Sequence, residues 1–243
     1  IGIPFLILFI LGLRILSKRV QKIHKTTSLT LLGIWLVALL GIGFAGIEFA
    51  TTHAANGISI SKNNLELVAK DTLTIKMLND ETLFYKYKRN NHRNYKEQTI
   101  EEVDGKMKVY SNNVAIDVEM SATDTSYFTI QKMSTGRNRM AAKKNSKAIQ
   151  YHFDLIDNTL TLDAFYISDY QNLFKDEEIK VTVYLAKGVH IFFDSSSEYF
   201  LSDIDNTTDT YDREMANHYF LMTEEGLHSP VLKALEEIKS NEE

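Results

Sequence analysis

Residues 26–47 read TTSLTLLGIWLVALLGIGFAGI, 22 positions without a charged side chain. From Leu31 to Ile47 the run is almost purely Leu, Ile, Val, Ala, Gly, Phe and Trp. As a helix it rises about 33 Å, enough to cross the roughly 30 Å hydrocarbon core of a bilayer.

Upstream, Ile1 to Leu13 is entirely apolar, glycine or proline, about 20 Å of helix and short of a full crossing. Between the two runs lie Arg14, Lys18, Arg19, Lys22 and Lys25. This pattern predicts a transmembrane region over residues 1–50: a truncated first span over about 1–16, a basic loop over 14–25 and a second span over about 27–49. Two such runs around a short basic stretch favour a helical hairpin over a buried core helix or a cleaved signal peptide. Beyond the second span the only nearby titratable residues are Glu48 and His53. The positive-inside rule therefore puts the loop in the cytoplasm and the chain after about residue 50 outside. Gly41 and Ala45 form a small-xxx-small pair, which reads as ordinary glycine use in a membrane helix. No ionisable residue sits mid-span to suggest a pump or channel. Ile1 opens inside an apolar run without an initiator methionine, which points to a start partway through a longer protein.

Downstream the composition changes. Residues 51–243 hold 22 basic and 31 acidic residues, a formal charge of −9. Cysteine is absent from the whole chain, which excludes disulfides, thiolate nucleophiles and cysteine metal sites. From Gly57 to about residue 222 apolar and polar residues alternate with period two, as in Ile58–Ser59–Ile60, Leu73–Thr74–Ile75, Met107–Lys108–Val109, Val114–Ala115–Ile116–Asp117–Val118, Phe128–Thr129–Ile130, Leu160–Thr161–Leu162 and Ile179–Lys180–Val181–Thr182–Val183. Such alternation predicts strands. Turns are expected at Lys62–Asn63–Asn64, Asp104–Gly105, Ser111–Asn112–Asn113, Asp157–Asn158 and Lys187–Gly188. Arg137 to Ile149 lacks alternation, follows Gly136 and is rich in helix formers, so one internal helix is expected there. Val231, Leu235 and Ile238 share a helical face, giving a helical tail over residues 230–243 after a β-rich domain over 51–229.

The chemistry-bearing residues do not assemble into a motif. Asp203, Asp205, Asp209 and Glu214 resemble a calcium loop in spacing, but Thr208 stands where the loop needs glycine, and a solvated turn is the expectation. Among the seven histidines, His24, His53, His92, His152, His190, His218 and His228, none has zinc-pair spacing. Ser195, Ser196 and Ser197 lack the glycine-flanked elbow of a nucleophile. No phosphate-binding glycine loop is present. No catalytic, cofactor-binding or metal residue is therefore expected, and no enzyme activity; the enzymatic rival is a membrane-tethered hydrolase using Asp203, Asp205 or a nearby histidine. Lys86–Tyr87–Lys88–Arg89 with His92, Arg93, Tyr95 and Lys96 interleaves cations and aromatics as nucleic-acid binders do. On an acidic domain it reads as a strand-end loop, and no nucleic-acid partner is expected. Thr125 to Phe153 carries no acid but holds Lys132, Arg137, Arg139, Lys143, Lys144 and Lys147, whereas Asp194 to Glu214 holds seven acids and one arginine. The two charged surfaces are open to pairing within the fold, between subunits or, for the basic one, with anionic lipid; pairing within the fold is the expectation.

The spans ending in Gly12–Leu13–Arg14–Ile15–Leu16 and containing Leu31–Leu32–Gly33–Ile34–Trp35–Leu36, followed by this outer domain, resemble the C-terminal half of Bacteroidetes-type PspC-domain (phage shock protein C) proteins. Ser134–Thr135–Gly136–Arg137–Asn138–Arg139, then Ala142, Ile149 and Tyr151, is similar to that family's Ser-x-Gly-x-x-Arg stretch. Asn158–Thr159–Leu160–Thr161–Leu162–Asp163 is similar to its next hairpin arm. Phe174–Lys175–Asp176 and Ile179 to Leu185 with Gly188 resemble its Arg-Asp-Gln strand and Pro-x-Gly turn, with Lys175, Glu177 and Ala186 in place of arginine, glutamine and proline. Asp205–Asn206, Thr210–Tyr211–Asp212, Met222–Thr223 and Gly226–Leu227 resemble its closing segment, with Phe220 where the family tends to have tryptophan. The resemblance implies a mainly β fold: an N-terminal transmembrane helical hairpin, then a β-rich toast-rack domain of stacked strands, solenoid- or sandwich-like, with one short internal helix. It places a PspC module upstream of Ile1. It also implies a multi-pass protein of the bacterial inner membrane with a periplasmic β domain, acting as a non-enzymatic envelope-stress regulator or sensor. The partners implied are the lipid bilayer and other membrane or stress-response proteins, with self-association open. The alternative is a membrane-tethered adhesin or scaffold that binds proteins or glycans.

Overall fold

The computed structural model describes residues 25–78, 98–103, 105–172 and 175–232. The expected first span, the interleaved Lys86–Lys96 stretch, His24, His92 and all but the start of the expected tail helix lie outside them. The chain divides into two compact units, residues 1–54 and 55–243.

In the first unit, α1 (Lys25–Thr52) is a single helix of 28 residues, about 42 Å long. At 100° per residue, Leu36, Phe44, Ile34, Ile42 and Leu39 point to every side, and all are exposed. No polar stripe runs along it, in contrast to a helix that packs one face on a soluble core. Among the described residues no helix is long and apolar enough to cross a membrane.

The second unit holds thirteen described strands and one α-helix. In chain order these are β1 (Ala55–Leu65), β2 (Thr72–Leu78), β3 (Gln98–Val103), β4 (Lys106–Ser111), β5 (Val114–Met120), β6 (Ser126–Gly136), α2 (Arg139–Ala148), β7 (Phe153–Ile156), β8 (Thr159–Asp163), β9 (Tyr166–Asp169), β10 (Glu178–Leu185), β11 (His190–Phe193), β12 (Tyr219–Thr223) and β13 (Gly226–His228). They form a four-stranded sheet in the order β1-β6-β10-β5, a six-stranded sheet in the order β13-β12-β11-β2-β8-β7, and a small sheet β3-β4-β9. Pairing is mixed. β10 runs parallel to β5, and β11, β2 and β8 run parallel to one another, while the other pairs are antiparallel.

The period-two pattern explains which face is buried. In β10, Ile179, Val181, Val183 and Leu185 are fully buried while Lys180 and Tyr184 are half-exposed. Together with Ile116, Val118, Phe128 and Ile130 they join Leu73, Ile75, Leu160, Leu162, Ile191 and Phe193 of the larger sheet in one hydrophobic cluster. Phe128 meets Phe153 edge-on across that core, ring centroids 5.1 Å apart, and Phe193 meets Phe220 at 5.8 Å. Phe220 is buried and fills the position where the resembled family tends to have tryptophan.

One turn expectation is corrected. Lys62–Asn63–Asn64 continues β1 and pairs with Thr129, Phe128 and Tyr127 of β6. Cross-strand contact outweighs the local turn preference: the Lys62 ammonium lies 3.5 Å above the Tyr127 ring, which stacks on Tyr184 at 4.6 Å. The turns at Gly105 and Gly188 fall where expected, both glycines having positive φ.

Candidate functional site

The internal helix is built from its ends inward. Asn138 caps α2, its Oδ1 accepting from the Ala141 N–H at 2.9 Å, which satisfies one of the donors a helix start leaves open. At the other end the Lys132 ammonium donates to the Ile149 carbonyl at 2.8 Å. Burial holds Lys132 below the usual lysine range. Asn145 Nδ2 donates to the Thr135 carbonyl at 2.9 Å, tying the helix to β6. Its seat is formed by Gly57 and Gly136, neighbours on β1 and β6: a Cβ on Gly57 would lie 2.1 Å from the Ala142 carbonyl carbon, and one on Gly136 2.6 Å from the Ala142 nitrogen. Only glycine admits so close an approach.

The face turned away from that seat is cationic. Arg139, Lys143, Lys144 and Lys147 are exposed, and Met140 among them is 84% exposed. Among the described residues none of these four cations has an ion pair.

A second surface of the domain is acidic. A cleft of about 420 Å³ is lined by Asp117, Glu119, Asp203, Asp205, Glu224 and Glu225 with Val118, Met120, Met222 and Gly226. Glu119 pairs in register with Tyr184, and Tyr184 with Tyr127, at the start of β6; α2 sits at its end, Gly136. Among the described residues no ion pair joins Arg139, Lys143, Lys144 or Lys147 to an acid of the Asp194–Glu214 stretch. The buried Asp117 of the cleft is bonded to Lys180 at 2.9 Å, and that bond raises the Lys180 pKa.

The calcium-like stretch is organised by its own side chains. Asn206 Oδ1 accepts from the Thr210 N–H at 2.8 Å, the Thr208 hydroxyl at 3.0 Å and the Thr208 N–H at 3.3 Å, while its Nδ2 donates to the Thr210 carbonyl at 2.9 Å. The Asp212 carboxylate accepts from the N–H groups of Asp203 and Ile204. These oxygens face loop donors, and among the described residues no three His, Asp or Glu side chains converge as metal ligands do.

The serines expected to be inert as nucleophiles have a structural task. Asp194 Oδ1 accepts from the Ser196 hydroxyl at 2.6 Å and its N–H at 2.9 Å, which holds the carboxyl below its usual range. Ser196 Oγ in turn accepts from the Met77 N–H at 2.9 Å, fastening the turn to β2. Among the described residues no histidine joins this set: His218 Nδ1 contacts the Ala216 carbonyl, His228 Nδ1 the Thr207 hydroxyl, and His152 lies 3.6 Å from Asp163. His190 lies on β11, in register with Thr72 and Leu221, its Nδ1 buried.

A buried polar group escaped the sequence reading. Tyr166 donates to the Glu177 carbonyl at 2.6 Å, Asn113 Nδ2 donates to the same oxygen at 2.7 Å, and Ser134 donates to the Glu177 carboxylate at 3.3 Å. Burial raises the Tyr166 pKa. These residues lie on β6, β9 and two loops, so only the fold brings them together. Ala186 shows a similar local adaptation: its N–H donates to Ser126 Oγ at 2.9 Å, a bond that proline at this position would lack.

Two family models match the sequence. The one described as "ToastRack found in some PspC" matches residues 99–229, and the one described as "PspC transmembrane region" matches residues 1–53. Neither a curated protein nor a solved structure matches the chain.

Proposed function

The chain belongs to the family of PspC proteins that carry a C-terminal toast-rack domain, and from that premise we propose a non-enzymatic envelope-stress regulator or sensor, anchored in the bacterial inner membrane with its β domain in the periplasm. A membrane-associated protein of PspC type is the common ground; the regulatory role, the sidedness and the multi-pass anchor are the proposal. The observation that carries it is the union in one chain of an uncharged apolar stretch over residues 26–47 with a β domain whose polar groups serve folding. Asn206, Asp212, Asp194 and Ser196 satisfy backbone and side-chain donors, which favours binding over catalysis.

In this reading α1 is the second span. Its contour of about 42 Å exceeds the hydrocarbon thickness, leaving both ends in the headgroup region. The regulator works through protein contacts, with other membrane or stress-response proteins as partners and self-association as one route. A signal requires two states with different contacts. The test is cross-linking and affinity capture of the tagged full chain from stressed and unstressed membranes. A partner whose yield changes with stress is expected; the same co-purifying set in both conditions would refute the sensor role.

An adhesin or scaffold is the second reading, favoured by the aromatic pair on the outer face of the larger sheet, where Phe192 and Tyr219 lie 4.5 Å apart. It predicts that residues 55–243, exported without the spans, retain function, whereas the regulator reading predicts loss.

A further inference from the structure

Resting on the membrane-anchored reading, we propose that the cationic face of α2 docks on anionic lipid headgroups of the membrane that holds the chain. At 100° per residue, Arg139, Lys143, Lys147, Met140 and Lys144 occupy an arc of about 140°, while the buried Ala142 and Ser146 lie outside it. Four cations around an exposed methionine form the surface that anionic lipid recognises: charge for the headgroups and one apolar side chain for the interface. No acid lies between Thr125 and Phe153 to neutralise it.

Chain connectivity supplies the argument for lipid over other anions. The helix is seated on Gly57, which is five residues beyond Thr52, the end of α1. Five residues of extended chain span at most about 18 Å. A helix fastened that close to the chain's exit from α1 meets the headgroup layer at high effective concentration. The acidic cleft lined by Asp117, Glu119, Asp203, Asp205, Glu224 and Glu225 is repelled by the surface that attracts α2.

The absence of cysteine makes the test direct. Full-length chain carrying Met140→Cys, or Tyr211→Cys in the acidic loop, is spin-labelled and reconstituted into vesicles of phosphatidylcholine alone or of phosphatidylcholine mixed with phosphatidylglycerol. The readout is label accessibility to a water-soluble relaxation agent, with alkaline flotation in parallel. The position-140 label is expected to become protected only in the anionic vesicles, to be exposed again in high salt, and to differ from the label at 211. Replacing Lys143, Lys144 and Lys147 by glutamine is expected to lower the docked fraction relative to the free one roughly a hundredfold, about fivefold per cation. Equal accessibility in both vesicle types, with the chain still floating, would overturn the docking proposal and leave the anchor standing. Protection that rises with protein density whatever the lipid charge would overturn it in favour of a second copy's acidic cleft. Failure to float with either vesicle would overturn the anchored reading and the docking with it.

Discussion

Replacing Gly57 by alanine tests how closely α2 is seated. The added Cβ would lie 2.1 Å from the Ala142 carbonyl carbon and 2.2 Å from the Lys143 nitrogen. Both obstacles are helix backbone, so relief requires the helix to retreat by about 1.4 Å to reach ordinary contact near 3.5 Å. Overpacking of this kind costs about 1–3 kcal/mol, and rigid obstacles place it at the upper end. The stiffer unfolded chain offsets about 0.4–1 kcal/mol, leaving a net loss of about 2 kcal/mol. For a unit of this size that lowers Tm by about 4–8 °C. Gly136→Ala meets the Ala142 nitrogen at 2.6 Å and should cost less. One retreat relieves both clashes, so the double variant should lose less than the two single losses together. Thermal unfolding of the full chain in detergent, followed by circular dichroism, reads all three. A Gly57→Ala variant with unchanged or raised Tm, or a double variant with additive losses, would refute the close seat.

Asn206→Ala should cost about 2–3 kcal/mol, because it removes the acceptor and donor that close the 203–212 loop and leaves the N–H groups of the buried Thr208 and half-buried Thr210 without their acceptor; a denaturant midpoint equal to wild type would contradict this. Tyr166→Phe removes one of two donors to the Glu177 carbonyl and should lower stability by about 1 kcal/mol in chemical denaturation. Asp194 is held below the usual carboxylate range by its bonds to Ser196, so its contribution is present above the unfolded-state value near 4 and is lost as pH falls through the depressed folded value. Comparing the acid limb of the wild-type stability profile with that of Asp194→Asn checks this, and identical slopes would count against it. Lys180 has the opposite sign: its raised value makes its bond to Asp117 stabilising below the unfolded lysine range and lost as pH rises through the folded value, so Lys180→Met should flatten the alkaline limb.

Much of the β domain was legible because period-two alternation is a direct imprint of a sheet with one buried face. Val114–Val118, Leu160–Leu162 and Ile179–Val183 all form strands of the central sheets. α2 was legible because Arg137 to Ile149 breaks that alternation with helix formers. Lys62–Asn64 was misread because turn preference is local, whereas its pairing with residues 127–129 of β6 is decided more than sixty positions away. The buried group at Glu177 was invisible for the same reason: Asn113, Ser134 and Tyr166 meet it only after β6, β9 and their loops are in place.

The account rests on hydrocarbon being the medium that suits the uncharged stretch over residues 26–47. Alkaline extraction of membranes from cells expressing the full chain, followed by ultracentrifugation, tests this most directly. The account predicts that the chain stays with the pelleted bilayers until detergent is added. Release into the supernatant without detergent would contradict it.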